Sequence, residues 1–104
     1  MIRIERIKGD GCTVYRAVSG GRVLGFASLG IDGELEAIQV NKNARGQRVG
    51  SKLIGAVEES ARADGVTKIT GKLRPDADST KRSRNFFEGK GFQINGDSIS
   101  KNLR

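Results

Sequence analysis

The sequence predicts a single α+β domain over residues 1–104, a mixed α/β architecture with a central, mostly antiparallel sheet. Three observations predict it. The first forty residues alternate apolar and polar side chains in short runs broken by glycine, the pattern of hairpin-linked strands. After Val40 the apolar spacing lengthens, placing Val49, Leu53, Val57 and Ala61 on one helical stripe. A chain of 104 residues is long enough for one core and too short for two.

The elements follow in order. "IRIERI", "CTVYRAV", "RVLGFASLG" and "ELEAIQV" read as four strands, with Gly9, Gly11, Gly20, Gly21 and the "IDG" turn between them. The stripe beginning at Val49, widened by Ile54 and Ala56, predicts a helix of about four turns that Gly65 stops after Asp64. "VTKITGKL" reads as a fifth strand closed by Pro75. "DSTKRSRNFFEGKGF" reads as a second helix, with Asp78 or Ser79 as N-cap and Gly89 or Gly91 as terminator. "FQI" and "SISKNL" then pair across "NGD". The predicted order is β-β-β-β-α-β-α-β-β.

Composition narrows the function. Nineteen Lys and Arg against twelve Asp and Glu give a net charge of +7 with no histidine, so an anionic partner is expected: nucleic acid, a phosphorylated cofactor or an acidic surface. A lone cysteine, Cys12, makes no internal disulfide, and one Cys without His disfavours zinc; no metal site is expected. With neither a membrane-length apolar run nor a leader pattern, the chain reads as soluble and cytoplasmic.

The first helix carries its charges against its dipole. Lys42, Arg45, Arg48 and Lys52 crowd its N-terminal end, while Glu58, Glu59 and Asp64 lie toward the other. Two readings account for this. An anion bound at the exposed N–H groups, with Gly46 and Gly50 allowing close approach, turns those cations into an asset. Alternatively the cations form a solvated, screened face on a helix that its core stripe holds in place.

The loop's spacing fits neither a Walker loop nor a dinucleotide fingerprint. It resembles the cofactor loop of the GNAT superfamily of acyl-CoA-dependent N-acyltransferases, an apolar strand followed by R/Q-x-x-G-x-G/A and a helix. "AIQV" matches the strand, and Arg45, Gly46, Gln47, Arg48, Val49 and Gly50 fill the six positions, with Arg48 at the central glycine. A second motif of the family, F-Y-x-x-x-G-F, is matched by Phe86 to Phe92, with Phe87 where tyrosine is usual. The resemblance runs from Gly33 to the C-terminus. At the N-terminus the chain departs: "KGDG" stands where family members have two helices that wall the acceptor site. The open acceptor side suits a macromolecular or peptide-end substrate, or a wall lent by a second subunit of a homodimer.

The resemblance implies an N-acetyltransferase that moves an acetyl group from acetyl-CoA to an amine by direct attack. It implies a cofactor site of Arg45, Gly46, Gln47, Arg48, Val49, Gly50 and Ser51, with Ile38 and Val40 along the pantetheine arm and main-chain N–H near Val40 polarising the thioester carbonyl where the fourth and fifth strands splay. Thr80 and Ser83 occupy positions where the family has asparagine and alanine, and either contact the pantetheine or pack closely. Lys81, Arg82 and Arg84 add positive charge to the same helix. Phe86 and Phe92 are expected in the core and Phe87 nearer the cofactor.

An amine with a pKa near 10.4 is protonated at neutral pH, so transfer needs a proton acceptor. Glu34 and Glu36, two apart on the fourth strand, share a face. One is the candidate base, or both are exposed strand carboxylates. Phe87 cannot protonate the leaving thiolate as the family's tyrosine does, and nothing in the spacing recruits Tyr15 on the second strand; Cys12 reads either as an acyl-carrying nucleophile or, as a lone strand cysteine more often is, as a small core residue. A tyrosine-less site points alternatively to a non-catalytic acyl-CoA-binding or interaction module, and the charge to a small nucleic-acid-binding protein, although the Phe pattern leaves little for base stacking. For Arg48, left-handed geometry costs an arginine of order 1 kcal/mol, so helical torsions are expected there.

Overall fold

The computed structural model describes residues 1–73 and 80–103, the side chain of Thr80 excepted. The strands are β1 (Arg3–Lys8), β2 (Cys12–Ser19), β3 (Arg22–Gly30), β4 (Glu34–Val40), β5 (Lys68–Lys72), β6 (Gln93–Asn95) and β7 (Ser98–Asn102); the helices are α1 (Val49–Ala63) and α2 (Thr80–Gly89). Their order is the predicted one, with a short 3-10 turn over Lys42–Ala44 added before α1. The fifth strand is trimmed to its centre, and the proposed caps of the second helix, Asp78 and Ser79, with Pro75, lie outside the described residues.

All seven strands form one sheet in the order β1-β2-β3-β4-β5-β7-β6. Every neighbour is antiparallel except β4 and β5. Local chemistry fixes the connections. Gly20 and Gly21 both have positive φ, 58° and 77°, as a two-residue primed turn between β2 and β3 requires. At the end of α1, Gly65 (φ 82°) donates to the Arg62 carbonyl and Val66 to the Ala61 carbonyl, a Schellman stop at the predicted glycine.

The β4–β5 pairing is short. Only Glu34 with Thr70 and Leu35 with Gly71 are in register, so the rest of β4 runs on beside an opening fork. β4 also carries a bulge: Ser28 lies opposite Ala37 and Leu29 opposite Leu35, which leaves Glu36 as the extra residue.

Period-2 alternation sorts the sheet into two faces. On one, Tyr15, Ala17, Ala27, Leu29, Leu35, Ile69, Ile99 and Leu103 meet Val49, Leu53, Ile54, Val57 and Ala61 of α1 and Phe87 of α2 in a single core. Both helices therefore cover the same face. The other face bears rows such as Glu5, Arg16, Phe26 and Gln39, or Glu34, Thr70, Ser100 and Gln93, with no helix over them among the described residues. Among those residues no helix is long and apolar enough to cross a membrane.

Candidate functional site

The fork and the head of α1 are built by adjacent segments. The N–H of Asn41 donates to the Leu24 carbonyl at 2.8 Å. Alternate residues of an antiparallel ladder turn their backbone groups to opposite sides, so Gln39 faces β3 while Ile38 and Val40 direct N–H and C=O into the fork. Their half-buried side chains pack against the core, which fixes the edge they line.

From Asn41 the chain crosses to α1 through Lys42–Ala44 and the exposed segment Arg45, Gly46, Gln47, Arg48. Gly46 (φ 86°) and Arg48 (φ 62°, ψ 27°) are left-handed, with Gln47 between them at negative φ. Alternation of left-handed with right-handed residues is the pattern from which backbone nests for anions are built. The first α1 bond runs from the Lys52 N–H to the Arg48 carbonyl, and Arg48 makes no side-chain cap. The N–H groups of Val49, Gly50 and Ser51 thus have no intrahelical acceptor.

The left-handed Arg48 overturns the expectation of helical torsions. Its cause lies on either side of it: Ala44 and Val49 are almost wholly buried, so the four residues between must close a fixed gap. Burying Val49 is worth roughly 1.5 to 3 kcal/mol, more than the torsional cost at Arg48. Arg48 is the only non-glycine residue with positive φ among those described.

Charge around this loop is one-sided. The first turn of α1 holds no acid, and among the described residues Lys42, Arg45, Arg48 and Lys52 form no ion pair. On α2, Arg84 donates to the Gly96 carbonyl at 2.7 Å, tying the helix to the β6–β7 turn, while Lys81 and Arg82 are exposed. Thr80 opens α2 and Ser83 is half-buried on it.

Gly50 serves packing. A Cβ there would stand 3.1 Å from Phe86 Cε1 and 3.7 Å from Val40 Cγ2, so the glycine lets the α2 ring sit against the head of α1 beside the fork. The expected roles of the two phenylalanines are thereby exchanged in burial: Phe87 is 5% exposed and Phe86 is half-buried. The reason is a second Schellman stop. With Gly91 (φ 88°) donating to the Glu88 carbonyl and Phe92 to that of Phe87, Phe87 and Phe92 form the apolar pair that closes the helix end, their centroids 5.2 Å apart. Sequence reasoning missed this signal, which the spacing of Phe87 and Phe92 around Gly91 contained.

On the uncovered face, Glu34 lies in a shallow trough of about 380 Å³ with Thr70, Lys72, Gln93, Ser98 and Ser100. Glu36 stands at the bulge and accepts a hydrogen bond from Ser28 Oγ at 3.0 Å. Elsewhere on this face, hydrogen bonds from Arg3 and then Arg16 hold the Glu5 carboxyl below its ordinary value.

Comparison with known proteins places this geometry. The model of the acetyltransferase (GNAT) family matches residues 2–92. The structure resembles a GNAT acetyltransferase from Elizabethkingia anophelis with acetyl-CoA bound, at TM-score 0.84 and 13% identity over 97% of each chain. It also resembles the PaiA N-acetyltransferase of Thermoplasma acidophilum in complex with coenzyme A, at TM-score 0.78 and 16% identity over 88% of this chain and 61% of that one. A GNAT acetyltransferase of Staphylococcus aureus gives TM-score 0.75 and 16% identity, covering 90% and 69%. At such identities the likeness is one of fold. A search of curated protein sequences gives no match.

Proposed function

The chain belongs to the GNAT family of acetyltransferases, and from that premise we propose that it transfers an acetyl group from acetyl-CoA to a primary amine by direct attack. The observation that carries the donor assignment is the loop from Arg45 to Ser51. Its left-handed pair, uncapped N–H groups and unpaired cations suit a diphosphate, and it lies at the mouth of the β4–β5 fork. The Elizabethkingia and Thermoplasma proteins bind acetyl-CoA and coenzyme A.

In this reading the backbone of Gly46 to Ser51 holds the diphosphate, with the Arg45 and Arg48 side chains beside it. The main-chain groups of Ile38 and Val40 bind the pantetheine arm, and an N–H near Val40 polarises the thioester carbonyl. Ser83, and Thr80 at the start of α2, border the same channel. Glu34 or Glu36 takes the proton of the incoming ammonium on the uncovered face. Phe87 supplies no proton, and a thiol of pKa near 8.5 leaves without one. The three-residue link between β1 and β2 leaves the acceptor side open, which favours a macromolecular amine.

Calorimetric titration tests the donor. Acetyl-CoA is expected to bind saturably, and acetyl-pantetheine, which lacks the diphosphate, to bind far more weakly. Equal affinity for the two, or no binding of acetyl-CoA, defeats the assignment.

A further inference from the structure

We infer that Ser28 is a positioning residue that fixes the Glu36 carboxylate at the fork, making Glu36 rather than Glu34 the proton acceptor of the transfer reaction. The inference rests on the function proposed above and names which carboxylate serves it and what orients it.

The two glutamates share a face, but the backbone treats them differently. Glu34 is paired with Thr70, in the part of β4 still zipped to β5, and its side chain borders the trough over β5 and β7. Glu36 is the first residue beyond the last β4–β5 pair, where the fork opens. It is also the extra residue of the bulge, a device that re-aims a side chain out of the regular pleat. A freely rotating surface glutamate would gain little from this.

Ser28 supplies the restraint. On the neighbouring strand, level with the bulge, its hydroxyl donates to Glu36 Oε1 at 3.0 Å, an exposed but charge-assisted bond that favours one orientation of the carboxylate. Gly30 clears space for the other oxygen, since a Cβ at that position would stand 3.3 Å from Glu36 Oε2. One oxygen is thus occupied and the second left free to accept a proton. Glu34 lacks such a restraint: its N–H donates to Asp32 Oδ1, but among the described residues its carboxylate accepts no hydrogen bond.

The ammonium of the acceptor gives one proton to Glu36 Oε2. The amine lone pair forms the C–N bond at the thioester carbonyl, and the C–S bonding pair departs with sulfur. The surplus proton on nitrogen passes through water to the thiolate, and Glu36 returns its own proton to solvent.

The test measures thioester loss from acetyl-CoA in four variants, S28A, S28T, E36Q and E34Q, and in the S28A/E36Q double variant. A lysine peptide and a polyamine serve as acceptors, with water as a third that requires no knowledge of the amine. E36Q is expected to lower kcat by about a hundredfold and S28A by about tenfold, the size of one lost bond to a charged group. S28T should restore the rate, E34Q should lower it far less than E36Q does, and acetyl-CoA affinity should be unaltered throughout; a loss in E34Q as large as that in E36Q overturns the inference. The decisive reading is the double variant: Ser28 acting only through Glu36 makes S28A/E36Q no slower than E36Q. Independent, multiplying losses, or S28A at the wild-type rate, overturn the inference. Acetyl-CoA binding without turnover on any acceptor defeats instead the function on which it rests.

Discussion

Replacing Arg48 by glycine should stabilise the protein, and the magnitude follows from the loop geometry. At φ 62° and ψ 27° an arginine bears a left-handed penalty of roughly 1 to 2 kcal/mol that glycine does not. Removing a cation from the N-terminal end of α1 relieves a further ~0.3 to 1 kcal/mol of unfavourable dipole interaction. Against these, glycine adds about 0.4 to 1 kcal/mol of backbone freedom to the unfolded chain. The net gain is about 1 kcal/mol, or roughly 4 to 8 °C in Tm for a domain of this size. Arg48→Ala separates the contributions, because alanine removes the charge but keeps the strained torsion. It should gain no more than the electrostatic part. The assay is thermal and urea unfolding of wild type, R48G and R48A in low salt, with acetyl-CoA titration of each. If R48G is destabilised, or if R48A gains as much as R48G, residue 48 is not left-handed in solution and the strain argument fails. Both variants are expected to bind acetyl-CoA more weakly, with a shallower salt dependence.

Three other outcomes test the scaffold. Lys101 Nζ reaches both oxygens of the buried Glu58 at 3.0 Å and the Lys90 carbonyl at 2.6 Å, so Lys101→Met should cost roughly 2 kcal/mol in urea unfolding, an effect largely absent when Glu58 is already Gln. Gly33 has φ 91°, and a Cβ on it would stand 2.5 Å from the Lys68 carbonyl, so Gly33→Ala should destabilise by roughly 2 to 4 kcal/mol; a smaller loss would mean that the β3–β4 turn is free to shift. Because the folded state lowers the Glu5 pKa from 4.5, its contribution is complete above that value and disappears as pH falls through the folded pKa. Tm should therefore fall less steeply in acid for Glu5→Gln than for wild type, and parallel curves would count against the Arg3 and Arg16 contacts.

Periodicity carries much of this fold. The stripe Val49, Leu53, Val57 and Ala61 is the face α1 buries, and the Gly20–Gly21 and Gly65 signals mark the turn and the helix stop where the chain makes them. What the sequence does not carry is set by contacts between distant segments. The bulge at Glu36 depends on how β3 registers against β4, and no residue in "ELEAIQV" marks it. Gly50 reads as a loop glycine, yet its neighbour is a ring thirty-six residues away in sequence. Local cost alone favours helical torsions at Arg48, and the burial of Ala44 and Val49, which local sequence does not carry, imposes the left-handed ones.

The two departures from the family pattern have one physical character. Arg48 holds a left-handed backbone conformation of the kind glycine adopts freely, and Phe87 packs between Phe86 and Phe92 at 5.2 Å from each. Each fits the shape this scaffold requires; against the family pattern, one adds a cation at the loop and the other lacks a hydroxyl at the helix end. The shape at position 87 is demanded by the Schellman pair with Phe92, which any six-membered aromatic ring satisfies. The hydroxyl is therefore separable from the fold. Phe87→Tyr should alter turnover, if the added group reaches the leaving sulfur, while the rings stay packed; a large loss of stability would mean that the new hydroxyl is buried without a partner.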